Sequence, residues 1–323
     1  MRVLLTGATG FLGRHTVNRL LKENIEIIAL GRNPLALERL RQIGCSVHAI
    51  DLYKDSLFTV LEGVEFDKIL HAAALSSPWG TYEDFHKANV IATEKLLALA
   101  ANRNTAVVYV STPSVYLGNG ITANIPETAP LSTQPMNHYC STKIAAEQHL
   151  VAWQKETGVS TIILRPQGLL GAHDPSFAPR ICAQLKKGFF PLINGGQAQI
   201  DMTHVENVAE ALWLSVKSNH SGLQTYNITN GEPRAVRDTI ALFAKKMEIN
   251  VRYLSVPATL LFSAARGLEL LSHITGGWEP PITVYGMTVM GIERTLSITA
   301  ARKELGYEPK KSIAQAVDEY FER

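Results

Sequence analysis

Three glycines near the start of the chain restrict its fold most strongly. Gly7, Gly10 and Gly13 follow the apolar run Val3–Leu5 with GxxGxxG spacing, and a helical pattern begins directly after them. Residues without a Cβ atom let the backbone turn tightly and approach a pyrophosphate, which then lies against the N-terminus of the helix. The segment therefore predicts the first strand-turn-helix unit of a sheet that binds a dinucleotide.

Short apolar runs alternate with helical stretches through the first two thirds of the chain. Nearly continuous apolar runs are typical of strands buried on both faces of a parallel sheet. They predict strands at Val3–Leu5, Ile25–Leu30, Val47–Ile50, Lys68–His71, Ala106–Val110 and Thr161–Leu164. Between them, Glu83–Ala101 is predicted to be one helix whose apolar face carries Val90, Leu97 and Ala101. This alternation favours an α/β fold, a doubly wound parallel sheet of the Rossmann type.

The pattern changes after Arg165, where prolines and glycines form a long irregular connection. We expect a dinucleotide-binding domain at residues 1–166 and a smaller substrate-capping region at 167–323, partly interleaved with the last strands of the sheet. Helices are predicted in this region at Val205–Ser218, Val236–Lys246 and Thr259–Ser272. The leucine-rich third helix is interpreted as an ordinary buried helix, and the alternatives are a wall of an apolar pocket or a contact with a membrane surface.

Composition and charge exclude several classes of protein. Hydrophobic residues make up 46% and charged residues 19%, which excludes a disordered chain, and a net charge of +2 gives no reason to expect nucleic acid. The three cysteines form no CxxC pair, which predicts neither a disulfide framework nor a metal site. The first residues lack a signal-peptide pattern, and the apolar stretch Val256–Ala265 is too short to span a membrane. A cytoplasmic protein without a membrane-spanning segment is expected.

The end of the second predicted strand bears on the choice of dinucleotide. In a NAD enzyme an acidic residue at this point binds the ribose 2′-hydroxyl. This chain instead has Arg32 and Asn33, of which the arginine offers a fork of donors to a 2′-phosphate. The residues predict NADP as the cofactor, with NAD as the alternative. A solvated arginine in an Asn33-Pro34 turn is the competing interpretation.

A second motif concerns acid/base chemistry. Tyr139 and Lys143 have YxxxK spacing, and on a helix residues four apart lie on one face, so the phenol and the ammonium can share a site. A nearby cation lowers the pKa of a tyrosine, which makes its hydroxyl a usable general acid or base near neutral pH.

Taken together, these segments resemble the extended short-chain dehydrogenases/reductases of the NAD-dependent epimerase/dehydratase superfamily. The loop of Thr6–Gly13 resembles the TGxxGFxG loop of that family, and the strand that ends at Ser111-Thr112 precedes Tyr139 as in the family. The resemblance implies that Thr112 hydrogen-bonds the substrate oxygen, with Ser111 as the fallback, and that Lys143 also holds the nicotinamide ribose. It implies catalytic roles for Thr112, Tyr139 and Lys143.

The same resemblance implies a set of cofactor contacts. They comprise Gly7, Thr9, Gly10, Phe11, Leu12, Arg32, Asn33, Asp51, Leu52, Ala72, Ala73, Ala74, Asn89, Tyr139, Lys143 and Pro166. For Asp51 a helix-capping role is an equal alternative. Trp79, in the loop after the fourth strand, is expected to flank the substrate or to lie in the core. Many relatives dimerise through the YxxxK helix, so a homodimer is expected by analogy.

Two positions distinguish the branches of the family. Sugar-nucleotide enzymes of the family hold the diphosphate with an asparagine where this chain has Gly168 and with an arginine where it has Ile200. A diphosphate without such partners loses several charge-assisted hydrogen bonds. Downstream segments, among them Val205–Ala209 and Asn230–Pro233, instead resemble the 3β-hydroxysteroid dehydrogenase branch and the bacterial 2-alkyl-3-oxoalkanoate reductases.

The sequence therefore predicts an NADP-dependent oxidoreductase that interconverts a 3-hydroxyl and a 3-ketone on an apolar, acyl- or sterol-like small molecule. Thr112 and Gly168, with Trp79, are the expected substrate contacts. The alternatives are a nucleotide-sugar epimerase, dehydratase or reductase of the same superfamily and a regulatory protein that binds NADP without turnover. A regulatory protein needs the nucleotide site but not the acid, so the presence of Thr112, Tyr139 and Lys143 argues against it.

Overall fold

A parallel sheet of seven strands forms the centre of the computed structural model, which describes residues 1–322. Its strands are β1 (Arg2–Thr6), β2 (Glu26–Gly31), β3 (Ser46–Ala49), β4 (Lys68–His71), β5 (Ala106–Val110), β6 (Thr161–Pro166) and β11 (Leu223–Ile228). Their order across the sheet is β11-β6-β5-β4-β1-β2-β3. The chain reverses its direction of winding between β1 and β4, and a crevice at the carboxyl ends of such neighbours is where doubly wound sheets bind ligands.

Three pairs of shorter strands complete the β structure. They are β7 (Leu169–Leu170) with β10 (Thr203–His204), β9 (Gln199–Ile200) with β12 (Arg234–Ala235), and β8 (Phe189–Ile193) with β13 (Arg252–Val256). The first and third pairs are parallel and the second is antiparallel. All three lie in the part of the chain after the sixth strand, where the sequence predicts the substrate-capping region.

Thirteen α-helices lie within the described residues. They are α1 (Phe11–Leu21), α2 (Pro34–Gln42), α3 (Leu57–Val60), α4 (Tyr82–His86), α5 (Ala92–Asn102), α6 (His138–Thr157), α7 (Phe177–Leu185), α8 (Val205–Lys217), α9 (Val236–Lys246), α10 (Ala258–Ile274), α11 (Val284–Gly291), α12 (Thr299–Leu305) and α13 (Ile313–Phe321). A π-helical turn, Lys87–Ile91, joins α4 to α5, and single 3₁₀ turns occupy Pro113–Tyr116 and Asn194–Gly196. None of these helices combines the length and the apolar character that a membrane crossing requires.

Alternate residues of the strands pack on opposite faces of the sheet. In β1, Val3 and Leu5 belong to one hydrophobic core and Leu4 to the other. The first core is covered by α1, α2, α8 and α12, and the second by α3, α5 and α6. Both faces of the sheet are therefore covered by helices, which confirms the predicted doubly wound Rossmann fold.

The six predicted strands are confirmed, with ends that differ by at most two residues from the prediction. The seventh strand, β11, was not located from the sequence, because Leu223–Ile228 alternates polar and apolar residues at the edge of the sheet. It pairs with β6, so the chain returns to the first sheet after entering the C-terminal region.

The prediction of one helix over Glu83–Ala101 is wrong in its detail. The segment is divided into α4, the π-helical turn and α5, and Ala101 is exposed although Val90 and Leu97 are buried. A π-helical turn adds one residue to a helical turn and so rotates the side chains that follow it. Here it contains Asn89, whose buried side chain reaches a neighbouring loop.

The interpretation of Thr259–Ser272 as an ordinary buried helix is also wrong. The observed helix, α10, buries only Ala265 and Ser272, while Leu260 is 61% and Leu270 is 62% exposed. Leu271 is also exposed, so this side of α10 is not covered by another element of the described chain.

Candidate active site

The glycine loop joins β1 to α1 and has almost no free space around its backbone. Gly7 has φ +72°, and a Cβ atom there would lie 2.7 Å from the backbone nitrogen of Ala73. A Cβ atom on Gly13 would overlap the carbonyl oxygen of Gly7. Gly10 caps α1 without a side-chain hydrogen bond, so the first amide groups of the helix lack a side-chain acceptor. A cradle of this kind fits a pyrophosphate, whose oxygens accept from amide groups at the N-terminus of a helix.

The remaining predicted residues of the loop surround this cradle. Thr9 packs against Gly31 at the end of β2, where a Cβ atom would lie 2.8 Å from the Thr9 methyl group. Phe11 makes an edge contact with the ring of His15, with centroids 5.6 Å apart. Leu12 packs half-buried against the core beneath α1. Their side chains thus fix the loop, and backbone amides are the groups left to face a cofactor.

The carboxyl ends of β2 and β3 carry the predicted contacts for the adenosine half. Arg32 is exposed, and it forms no ion pair or hydrogen bond with another residue in 1–322. Asn33 caps α2, with its Oδ1 atom accepting from the amide of Ala36 at 3.1 Å, which leaves its NH2 group as a donor. Asp51 accepts from the amide of Tyr53 at 3.0 Å, and Leu52 is half-buried beside the second core.

The loop after β4 passes directly over the glycine loop. The Thr6 hydroxyl accepts from the amide of Ala73 at 3.1 Å and lies 2.7 Å from Nδ1 of His71. Burial lowers the pKa of His71 to about 3, so its ring is neutral and serves as a structural hydrogen-bonding group. These contacts place Ala72, Ala73 and Ala74 at the edge of the crevice.

Asn89, a predicted cofactor contact, holds this loop from beneath. Its Oδ1 atom accepts from the amide of Leu75 at 2.7 Å, and its Nδ2 atom donates to the Leu75 carbonyl and to Thr142, each at 3.1 Å. All the hydrogen-bonding groups of a 1% exposed side chain are thereby used within the protein. Asn89 therefore positions the loop, and a direct cofactor contact stays a prediction.

Thr112, Tyr139 and Lys143 meet at the carboxyl end of β5, as the sequence predicts. Thr112 lies two residues beyond the end of the strand and precedes the 3₁₀ turn, and Tyr139 and Lys143 lie one turn apart in α6. The side chains of Thr112 and Ser76 lie near the Tyr139 hydroxyl and act to lower its pKa. The fallback residue, Ser111, turns the other way and donates to the carboxylate of Glu147. Of the two hydroxyls at the strand end, only that of Thr112 faces the tyrosine.

The electrostatics of this group differ from the expectation. Burial raises the pKa of Tyr139, and the side chains of Ser76 and Thr112 lower it only in part. Burial lowers the pKa of Lys143 to about 7, and its Nζ atom donates to the Tyr109 hydroxyl at 2.6 Å and to the Val110 carbonyl at 2.7 Å. The expectation that Lys143 lowers the pKa of Tyr139 is therefore wrong for this arrangement, because desolvation dominates and the ammonium binds other groups.

A buried ion pair lies behind the catalytic helix. Arg165 in β6 donates through Nε to Oε1 of Glu147 at 2.9 Å and through Nη2 to Oε2. Its Nη1 atom donates to the Tyr116 hydroxyl. The guanidinium thus joins α6 to the sheet and points away from the crevice. Pro166, the predicted nicotinamide contact, is buried at the end of the same strand.

The C-terminal region closes the crevice over these residues. Tyr285 of α11 lies 2.9 Å through its hydroxyl from Ser114 and packs edge-on against Tyr139, with ring centroids 6.3 Å apart. Trp79 donates through Nε1 to the Gly277 carbonyl at 3.1 Å, beyond α10, and its ring packs against that of His273 in the last turn of α10. Trp79 therefore joins the loop after β4 to the C-terminal region.

Gly168 lies at the start of the long connection, exposed and with φ +49°.

Sequence reasoning missed three residues of the crevice, namely Ser76, Tyr285 and Arg294. None of them belongs to a motif with a distinctive spacing, and each reaches the crevice through contacts made only in the folded chain. Only the serine had a local signal, its position in the loop that follows a parallel strand.

A family model described as the NAD dependent epimerase/dehydratase family matches residues 3–229, the stretch that contains all seven strands of the sheet. The chain belongs to the NAD-dependent epimerase/dehydratase family. The resemblance inferred from the motifs is thereby confirmed, and the epimerase/dehydratase family is one of NAD(P)-dependent enzymes.

Two relatives of this chain are named as reductases. The 4-hydroxy-2-methyl-3-oxo-4-farnesyl-3,4-dihydroquinoline-1-oxide ketoreductase of Stigmatella aurantiaca is 30% identical, over 98% of this chain and 95% of its own. The 2-alkyl-3-oxoalkanoate reductase of Stenotrophomonas maltophilia (strain K279a) is 27% identical, over 98% of this chain and 97% of its own. The protein is an oxidoreductase of this family, as predicted.

Solved structures agree on the fold. MoeE5 in complex with UDP-glucose and NAD superposes with a TM-score of 0.76 at 22% identity, covering 99% of this chain and 97% of that chain. At this identity the likeness establishes the Rossmann architecture of the epimerase/dehydratase family, and the choice of substrate depends on the residues of the crevice.

Proposed function

We propose that the protein is an NADP-dependent oxidoreductase that interconverts a 3-hydroxyl group and a 3-ketone on an apolar, acyl- or sterol-like substrate. The observation that carries this proposal is the buried Tyr139, which lies beside Thr112 and one helical turn from Lys143. Support for the substrate class comes from the two reductases, whose names specify a farnesylated quinoline oxide and an oxoalkanoate.

In the reducing direction each residue has a separate task. A bound nicotinamide supplies the hydride that adds to the carbonyl carbon. Tyr139 donates its phenolic proton to the carbonyl oxygen, so the carbon–oxygen double bond becomes an alcohol, and Thr112 donates a hydrogen bond to the same oxygen. Because burial raises its pKa, Tyr139 keeps the proton that reduction requires until the oxygen becomes basic.

Lys143 acts after the proton has left the tyrosine. Its ammonium lies in the same buried site, donating to Tyr109 and Val110. The phenolate that forms on Tyr139 attracts this positive charge much more strongly than the neutral phenol does, because the surroundings are poorly solvated. Lys143 thus stabilises the product of proton transfer, and it is the residue that we assign to the nicotinamide ribose.

The preference for NADP rests on Arg32. An exposed guanidinium without a protein partner among residues 1–322 is free to bind a 2′-phosphate. Asn33 keeps a donor beside it, since only its carbonyl oxygen is used in the helix cap. An acidic residue at this point would repel the phosphate, and none is present in Gly31–Pro34.

A sugar nucleotide is disfavoured by the two branch positions. The side chain of Ile200 is buried in the hydrophobic core of the C-terminal region, and Gly168 has no side chain. Neither position offers a donor to a diphosphate, which normally binds through several charge-assisted hydrogen bonds.

The test is a NADPH-oxidation assay with 3-oxo acids, 3-ketosteroids and simple aldehydes, with UDP-glucose binding measured in parallel by isothermal titration. We expect turnover with at least one apolar 3-ketone and no heat of UDP-glucose binding. Tight UDP-glucose binding without ketone reduction would contradict the proposal. Tyr139→Phe is the negative control, since it removes the acid and leaves the glycine loop unchanged.

Assembly is a separate part of the proposal. By analogy with relatives, we propose a homodimer formed through α6, the helix that carries Tyr139 and Lys143. Light scattering coupled to size-exclusion chromatography would give a mass of about two chains, and a mass equal to the 35.4 kDa of one chain would contradict it.

A further inference from the structure

One buried cation near the catalytic tyrosine has no role in the reaction described above. Arg294 follows α11 and is only 6% exposed. Its backbone is fixed on β9, because its amide donates to the Gln199 carbonyl at 2.8 Å and its carbonyl accepts from the amide of Asp201 at 3.1 Å. The backbone position is therefore set by the small sheet of the C-terminal region, and the guanidinium is held inside the protein.

The guanidinium is only partly satisfied by its neighbours. With the Gln167 amide oriented so that its oxygen faces the arginine, that oxygen accepts from Nη2 at 2.8 Å and from Nε at 3.1 Å. The Nη1 atom is buried and has no hydrogen-bond partner among residues 1–322. Gln167 thus orients the guanidinium through Nη2 and Nε and leaves the edge that carries Nη1 without a protein acceptor among residues 1–322.

No carboxylate of the described residues forms an ion pair with this guanidinium. The carboxylate of Asp201 attracts the guanidinium without an ion-pair contact, and its Oδ2 atom accepts from the amide of Leu296 at 2.7 Å. Its Oδ1 atom is itself buried without a hydrogen-bond partner among residues 1–322. A buried guanidinium that is offset only by a carboxylate outside contact distance is costly, and proteins retain such groups mainly where something binds to them.

The position of Arg294 relates it to the reacting groups. Gln167, which the guanidinium contacts, directly follows β6, and Thr112 lies two residues beyond the end of the neighbouring strand β5. Val110 pairs with Leu164 in the register of these two parallel strands, so Thr112 and Gln167 both lie beyond the carboxyl edge of the sheet. The guanidinium is therefore held at the same edge of the sheet as Thr112.

We infer that Arg294 binds a carboxylate of the substrate, so that the protein takes an oxo acid with the ketone at Tyr139 and the carboxylate on the open edge of the guanidinium. A guanidinium fits a carboxylate through two parallel hydrogen bonds, and its weak hydration suits a buried site. A single arginine matches one carboxylate, whereas a diphosphate needs more donors than Arg294 offers. This inference rests on the proposed function and narrows it to carboxylate-bearing substrates.

The experiment compares 3-oxodecanoate with its methyl ester, two ketones that differ only in the negative charge. We expect the wild type to prefer the acid by about tenfold or more in kcat/KM, since one charge-assisted contact contributes this much. Arg294→Gln should reduce that ratio about tenfold, and Arg294→Lys, which keeps the charge, should retain part of it. Arg41→Gln, which removes an exposed guanidinium from α2, is the matched control and should leave the ratio unchanged.

The possible negative results distinguish a failure of this inference from a failure of the proposed function. If Arg294→Gln lowers the activity with the acid and with the ester equally, Arg294 is structural and the inference is overturned. If the wild type reduces the ester as well as it reduces the acid, the inference is overturned and the proposed function stands. If neither ketone is reduced, the proposed function fails for these substrates. The binding of 3-hydroxydecanoate and of its methyl ester, measured calorimetrically in both proteins with NADP present, then decides the role of Arg294.

Discussion

Removing the charge of Glu147 tests the physical account of the catalytic helix most directly. Glu147 is 1% and Arg165 is 5% exposed. The carboxylate accepts from the Ser111 hydroxyl and from two nitrogens of the guanidinium, and it raises the pKa of Lys143. Glu147→Gln keeps the shape of the side chain and leaves the guanidinium buried without a counter-charge.

The magnitude follows from this geometry. Breaking a buried pair by removing one partner costs about 3–5 kcal/mol of the free energy of unfolding. An unfolding entropy of about 2.1 cal/mol/K per residue gives about 0.7 kcal/mol/K for 323 residues. The melting temperature of Glu147→Gln should therefore fall by about 4–7 °C. The pKa of Lys143 should fall further, because the attraction of the carboxylate is lost.

The assay is urea unfolding followed by circular dichroism, with thermal melting of the same samples. Glu83→Gln is the matched control: it breaks a surface ion pair with Lys87 in which the glutamate side chain is 74% exposed, and it should change the free energy of unfolding far less than Glu147→Gln does. Replacing both partners, Glu147→Leu with Arg165→Met, should cost less than Glu147→Gln alone. A change for Glu147→Gln no larger than that for Glu83→Gln would refute the reasoning.

The remaining predictions concern the reaction, the cofactor and the glycine loop. Tyr139→Phe should lower kcat by about 10²–10⁴-fold and leave NADPH affinity nearly unchanged, measured by turnover and fluorescence titration; near-normal kcat would rule out the acid role. Lys143→Met should raise the melting temperature of the nucleotide-free protein most at pH 7 and below. This gain should shrink as pH rises to 10. The pKa of Lys143 is about 7 in the folded protein and higher in the unfolded chain, so the wild type gains stability as its buried ammonium loses the proton. A difference in melting temperature that does not depend on pH would contradict this. Arg32→Ala should weaken NADPH binding about tenfold with little effect on NADH, while Arg39→Ala on the exposed side of α2 should change neither; equal wild-type affinities for the two cofactors would refute the phosphate role. Gly13→Ala should abolish nucleotide binding because its Cβ atom overlaps the loop backbone, whereas Gly267→Ala in open space should stabilise α10 by up to about 1 kcal/mol; unimpaired binding by Gly13→Ala would show that the loop is looser than described.

The central sheet and the placement of Tyr139 and Lys143 on one helix were predictable because their signals are local. Apolar runs such as Ala106–Val110 indicate a strand whose side chains are buried on both faces of a sheet. The glycine spacing indicates a backbone that lies too close to its neighbours to leave room for a side chain. Gly7 and Gly13 have such close neighbours in the structure. Residues four apart on a helix share a face, which brought Tyr139 and Lys143 together before the fold was known.

Predictions about the C-terminal region failed where neighbours decide the outcome. The apolar composition of α10 suggested burial, yet Leu260 and Leu270 are exposed because no element of the described chain packs over them. The strand β11 lies at the edge of the sheet, and its alternating residues carry too weak a pattern to distinguish it from a loop. In both cases the sequence specifies the segment but not what covers it.

Sequence alone determined the fold family, the glycine loop and the choice of Tyr139 as the proposed proton donor, because these depend on residues that are close along the chain. Only the tertiary structure turned Ser111 away from the crevice towards Glu147 and set Thr112 beside Tyr139. Only the tertiary structure brought Arg294, 155 residues beyond Tyr139 in the chain, against Gln167 at the carboxyl end of β6. Burial and unpaired hydrogen-bond donors are created when distant segments pack together, and so they leave no mark in the local spacing of residues.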